Sequence, residues 1–224
     1  STWIDPQVTV PDQAQWSPGT LGYDLYGGAP GVALALAAGA AVFGDERYAD
    51  VALSVLDPIA RQFADGVIDE LPFAVGGLTG AGSTAYALSV GHTLLGPDSF
   101  ALDRAALLRV LGRGVGGPDQ SWDLVSGTVG ALAAALAVDD GTGTETVEAI
   151  ARRVRAQSPL FDADTAYTGY AHGAVGAASV LLRAGAHLDD SGLAAAGSHL
   201  LRRVMSTRRE TGWPRTFAAD DRTA

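Results

Sequence analysis

Tyr167-Thr168-Gly169-Tyr170-Ala171-His172-Gly173-Ala174-Val175-Gly176 runs straight into the apolar stretch Ala177-Ala178-Ser179-Val180-Leu181-Leu182. Two glycines three apart, followed by small apolar residues, read as a tight loop feeding a buried helix. His172 stands at the mouth of that helix, and of the four histidines it alone is set in a motif. Working outward, the pattern occurs three more times. Gly28-Ala29-Pro30-Gly31 precedes Val32 to Val42, Gly80-Ala81-Gly82-Ser83 precedes Thr84 to Leu95, and Gly127-Thr128-Val129-Gly130 precedes Ala131 to Val138. With Gly28, Gly80, Gly127 and Gly173 as equivalent marks, the steps are 52, 47 and 46 residues.

Each apolar segment is followed by an amphipathic one. After Gly44-Asp45-Glu46-Arg47, the residues Tyr48, Val51, Val55, Leu56 and Ile59 recur at three- and four-residue spacing. Asp98 to Leu111, Glu145 to Ala156 and Gly192 to Val204 follow the other three. A helix apolar all round must be buried on all sides, so the inner helices are expected to be wrapped by the outer ones. The reading is all-α: an α/α toroid of repeated helical hairpins, incomplete as given, with the glycine loops gathered at one end. The glycines are expected to let backbones approach closely and to serve positions of positive φ. The first twenty residues, with Pro6, Pro11 and Pro18 and no period, read as a lead-in, and residues 21–224 as the toroid, with four hairpins and the start of a fifth.

Composition narrows the function. The chain has 224 residues, is 47% hydrophobic and 18% charged, and carries a net charge of −10. That balance lacks the basic footprint of a nucleic-acid surface. No run approaches the roughly 18 apolar residues of a membrane span. Ser1-Thr2-Trp3-Ile4-Asp5-Pro6 lacks the regions of a secretory signal, so a cytoplasmic location is expected. Cysteine is absent, which removes disulfides, thiol catalysis and thiolate-held zinc within these residues. Lysine is absent too, and with it Schiff-base and P-loop chemistry.

The motifs themselves carry a resemblance. Tyr23-Asp24-Leu25-Tyr26-Gly27-Gly28-Ala29-Pro30-Gly31-Val32-Ala33-Leu34 resembles the opening of the C-terminal cyclase domain of class II lanthipeptide synthetases. Gly76 to Ser83 with Tyr86-Ala87-Leu88 is similar to its second repeat, Asp123 to Gly130 to its third, and Thr168 to Gly176 to its fourth. Gly212-Trp213-Pro214 resembles the Asn-Trp-Pro-Asp segment that follows. The likeness implies a ring of seven inner and seven outer helices with zinc at its mouth. It implies closure of lanthionine and methyllanthionine rings, by addition of cysteine thiols of a precursor peptide to dehydroalanine or dehydrobutyrine. The partners implied are that peptide and the rest of a synthetase, its dehydratase domain and C-terminal zinc-binding part; nucleic acid and membrane are not implied.

On this resemblance His172 matches the family histidine of acid–base work, and Asp123 the aspartate that accompanies it. A carboxylate beside an imidazole fixes its tautomer and keeps it usable as an acid near neutrality. Read without the resemblance, His172 is equally placed to bond a backbone group, and Asp123 to cap the helix beginning near Ser126. The family's zinc ligands, a Cys and a Cys-His pair, lie beyond the Trp-Pro segment, so no cofactor or metal ligand is expected in this chain. Three accounts fit: part of a longer polypeptide, a ring completed by another chain, or a reduced relative. A metal-free peptide-binding or assembly module is the alternative function. A glycan hydrolase would want two facing carboxylates, for which the loops offer Asp24 and Asp123 without an aromatic groove. His92, His187 and His199 read as structural or solvated. The Asp139-Asp140, Asp189-Asp190 and Asp220-Asp221 pairs read as solvated turns. Arg152-Arg153-Arg155, Arg202-Arg203 and Arg208-Arg209 read as a solvated face, with docking of an acidic leader peptide as the sharper reading.

Overall fold

The computed structural model describes residues 3–10, 15–70, 74–116 and 121–218. The lead-in forms two strands, β1 (Ile4–Val10) and β2 (Gln15–Thr20), paired antiparallel with Pro6 opposite Pro18. Both strands are edges, where a residue without an N–H is tolerated. Pro6 and Pro18, which suggested an irregular segment, therefore sit within paired strands, and Pro11 lies outside the described residues.

Four helical hairpins follow. They are α1 (Ala29–Phe43) with α2 (Glu46–Ala64), α3 (Ala81–Leu95) with α4 (Arg104–Gly114), α5 (Thr128–Val138) with α6 (Thr144–Gln157), and α7 (Ala174–His187) with α8 (Ser191–Ser206). The inner helices α1, α3, α5 and α7 pack in sequence order, and α2, α4, α6 and α8 line up behind them. The all-α toroid architecture is what this layering builds, with the strands as its one addition. The outer helices take side-chain caps: Asp45 on α2, Asp103 on α4 and Asp190 on α8. The cap at Asp103 fixes the start of α4 at Arg104, six residues later than the periodicity from Asp98 suggests.

The core lies between the layers. Leu56, Leu88, Leu107, Leu111, Leu132 and Ile150 are almost wholly buried. Burial of α1 is where expectation fails. Only Pro30, Ala33 and Ala37 are buried on it, whereas Val32 is 43% exposed, Val42 75% and Phe43 74%. Helix α5, just as apolar, is buried along most of its length. The difference is position: α5 lies between α3 and α7, and α1 ends the row, packing on α2 and α3.

Inner helices start without side-chain caps. Their first N–H groups are satisfied by their own loops instead. Ala29, Ala81, Thr128 and Ala174 donate to the carbonyls of Gly22, Ala74, Ser121 and Tyr167, at 2.9, 2.8, 3.1 and 2.8 Å. In every repeat the acceptor lies six residues before the marking glycine, and a Cβ on that glycine would overlap the same carbonyl oxygen. Close approach, and not positive φ, is the reason for glycine at positions 28, 127 and 173. Gly80 alone of the four combines it with a left-handed backbone, at φ +99°.

Gly127→Ala is therefore expected to cost about 3 kcal/mol in urea unfolding. Gly27→Ala, whose Cβ meets nothing within 4 Å, is expected to stay within about 0.5 kcal/mol. Equal midpoints for the two variants would contradict this account of the loops.

Candidate functional site

Backbone hydrogen bonds lace the four loops side by side. Tyr26 N–H donates to Leu78 O, Gly77 to Leu124 O, Leu78 to Val125 O, and Leu124 to Ala171 O, at 3.0–3.2 Å. Thr168 N–H continues the row to Arg215 O, and the Thr168 hydroxyl donates to Pro214 O. The loops therefore share one end of the inner layer, as their common position before each helix requires. Leu25, Gly77, Leu124 and Tyr170 each lie three residues before a marking glycine, and all four line one cavity of 290 Å³. The repeat converges on that space.

In the same loops, beside Leu124 and two residues after Tyr170 in the chain, the structure brings together the two residues singled out in the sequence. His172 Nδ1 lies 2.6 Å from Asp123 Oδ2, joining the fourth loop to the third. Asp123 also accepts from the Ser126 N–H at 2.8 Å and the Ser126 hydroxyl at 3.2 Å. Burial works against its charge, but the bonds from His172 and Ser126 outweigh it and hold the carboxyl below the usual range. Asp123 does not cap α5, whose N-cap is Gly127; it closes the loop and orients the imidazole. Asp24 holds the same place in the first loop and accepts from Gly27 N–H at 2.8 Å. The pair of aspartates thus shows loop closure with and without a histidine. The His172 side chain is 55% exposed against 14% for Asp123. Its Nε2 bonds no described residue. The arrangement is a tautomer-fixed imidazole presenting one free nitrogen to solvent.

The remaining polar residues are more engaged than their spacing suggests. His187 Nε2 lies 2.9 Å from Asp139 Oδ2, and the Asp139 carboxylate, shielded from solvent, also accepts from Gly141 and Gly143 N–H. Asp139 is no solvated turn charge; it pins the end of α7 to the end of α5. His199 reaches Asp162 at 3.1 Å, and His92 stacks edge-on against Phe100. Asp140 pairs with Arg104 and Asp190 caps α8; Asp220-Asp221 lies outside the described residues. Arg153 donates to Val115 O, and Arg203 grips Asp162 and Asp164, so these two are structural cations. Arg152 pairs with Glu148 on the outer face. The repeat register would have found the cavity wall, but nothing in local spacing announces the His187–Asp139 or His199–Asp162 pairs, whose partners are 48 and 37 residues apart.

The zinc set implied by the resemblance, thiolates with a histidine, does not fit what is present. The chain has no cysteine, and among the described residues no three His, Asp or Glu side chains gather as metal ligands. Among the same residues no helix is long and apolar enough to cross a membrane.

A family model described as "Lanthionine synthetase C-like protein" matches residues 19–224. None of the curated proteins matches the chain.

Because the Asp123 carboxyl is held low, its contribution to stability is complete above the ordinary carboxyl pKa of about 4. It fades as pH falls through the lowered value. The stability advantage of the native chain over Asp123→Asn, measured by urea unfolding at successive pH values, should shrink through this acid range and stay level from about pH 5 to 7. A constant difference down to about pH 2 would show that the carboxylate's charge contributes nothing.

Proposed function

We propose that this chain, which belongs to the lanthionine synthetase C-like family, acts as part of a lanthipeptide synthetase cyclase in the cytoplasm. It would work on a precursor peptide, alongside the synthetase's dehydratase domain and C-terminal zinc-binding part. The observation that carries the reading is the His172–Asp123 pair, 2.6 Å apart, on the same loops whose Leu124 and Tyr170 line the shared cavity.

Ring closure joins a cysteine sulfur to the β-carbon of dehydroalanine or dehydrobutyrine. As the C–S bond forms, the alkene electron pair moves toward the α-carbon and its carbonyl oxygen, giving an enolate. The α-carbon must then take a proton from a positioned acid. Protonated His172 supplies it from Nε2, the nitrogen that Asp123 leaves free, and returns to the neutral imidazole with its proton on Nδ1. The carboxylate of Asp123 holds the ring at Nδ1 and fixes the tautomer that follows transfer. The proton given up by the thiol restores the imidazolium, so the cycle is neutral overall. Zinc, which the family resemblance implies for the complete synthetase, would supply thiol activation. A metal-free peptide-binding module is the second reading, supported by the same cavity and the exposed Tyr86 and Tyr170 that line it.

In a complete, zinc-containing synthetase that includes this chain, assayed on a dehydrated, cysteine-containing peptide with thiol alkylation read by mass spectrometry, His172→Ala and His172→Asn should slow closure by about 10² to 10⁴. Asp123→Asn should lose less, since it orients and does not itself transfer the proton. Undiminished closure by both His172 variants would defeat the catalytic assignment and leave His172 as a structural residue of the loop.

A further inference from the structure

The cavity wall below the loops is built by the inner helices, and the repeat gives each of its positions a register. Ten residues after the marking glycine stand Ala38, Val90, Ala137 and Arg183. Three repeats fill the position with a small or apolar side chain, which is what close helix packing asks for. The fourth carries a guanidinium, and Arg183 lines the cavity together with Tyr86 and Tyr170. Most cations of the chain are engaged: Arg47, Arg61, Arg104, Arg152 and Arg203 in ion pairs, Arg208 and Arg215 over aromatic rings. Arg183 makes no hydrogen bond, ion pair or ring contact with any described residue. It is exposed within a concave, tyrosine-lined space, on a chain whose net charge is −10.

We infer that Arg183 is a specificity-determining residue that receives a single carboxylate of the bound peptide. This deepens the cyclase reading and rests on it for the identity of the ligand as a peptide. Guanidinium and carboxylate match in shape and charge, and the bidentate pair is favoured where water is partly excluded. An acidic stretch does not suit the site, because the chain's overall negative charge repels it. One carboxylate among neutral residues does. Along α7, Arg183 lies nine residues beyond Ala174, about 14 Å down the wall from the loop that bears His172. An extended peptide covers that distance in about four residues. The carboxylate is therefore expected about four residues from the reacting position, with Tyr86 and Tyr170 against the intervening backbone.

The test uses three short acetylated peptides of alanine and serine with one phenylalanine. The first carries an internal glutamate and an amidated end, the second has glutamine in its place, and the third has that glutamine and a free carboxyl terminus. Binding to the full chain is followed by NMR titration at low ionic strength. The glutamate peptide should bind about tenfold more tightly than its glutamine twin. Arg183→Gln should abolish that preference, and Arg183→Lys should keep part of it. Preference for the free-terminus peptide, lost in Arg183→Gln, would identify a chain terminus as the source of the same carboxylate. Equal binding of all three peptides, no binding of any, or a preference that survives Arg183→Gln would overturn the inference. His172→Asn separates the two readings: the glutamate preference should persist in it. A complete, zinc-containing synthetase that shows the preference without closing rings refutes the cyclase reading alone, and one that closes rings without the preference refutes the role of Arg183 alone.

Discussion

Everything at the mouth of this molecule depends on one backbone contact made four times. The N–H after each marking glycine reaches the carbonyl seven residues before it, across a space with no room for a Cβ. The contact does three things at once. It caps an inner helix that has no capping side chain. It folds the loop flat enough for the next loop to bond to it. It also turns the residue three before the glycine into the shared cavity. A side chain at the glycine would disturb all three, because they are consequences of the same closure.

The fourth hairpin is held to the third by more than packing. Three His–Asp pairs span them: His172–Asp123 at the mouth, His187–Asp139 at the opposite end of the helices, and His199–Asp162 on the outer layer. All three aspartates are held below their usual pKa, with burial opposing the shift and the histidine bond leading the causes that favour it. A His–Asp pair is therefore a structural device of this joint as well as a chemical one. What sets the first pair apart is its place in the laced loops, with Nδ1 engaged and Nε2 bonding no described residue, whereas the other two histidines bond through Nε2.

The fold was legible because a repeat states its rule four times. Glycine spacing marked the hairpins, and the alternation of wholly apolar with amphipathic helices marked the layers. Boundaries were less legible: the cap at Asp103, and not the apolar period from Asp98, decides where α4 starts. The β1–β2 pair was hidden by prolines that an edge strand accepts. The exposure of α1 was hidden because hydrophobicity reports what a helix can bury and not which neighbours it has. His172 and Asp123 were nameable from their motifs, but their contact needs two loops 49 residues apart to be laced together. Asp139 was misread because charge beside charge in a turn looks solvated until a neighbouring helix supplies a histidine.

The repeat also explains where chemistry can reside in such a scaffold. Immediately before the marking glycines stand Gly27, Thr79, Ser126 and His172; four before them stand Asp24, Gly76, Asp123 and Gly169. Positions that the loop closure needs are kept in every repeat, as the glycines are. Positions that face the shared space vary, since closure does not constrain them, and each can carry a different group to the same centre. An imidazole comes from the fourth repeat, the carboxylate that orients it from the third, and tyrosines from the second and fourth. No single hairpin holds a site; lacing the loops in one row makes it. A functional residue in this architecture is thus recognised by departure from its repeat-equivalents, which is how His172, beside Gly27, Thr79 and Ser126, and Arg183, beside Ala38, Val90 and Ala137, come to stand apart from the scaffold around them.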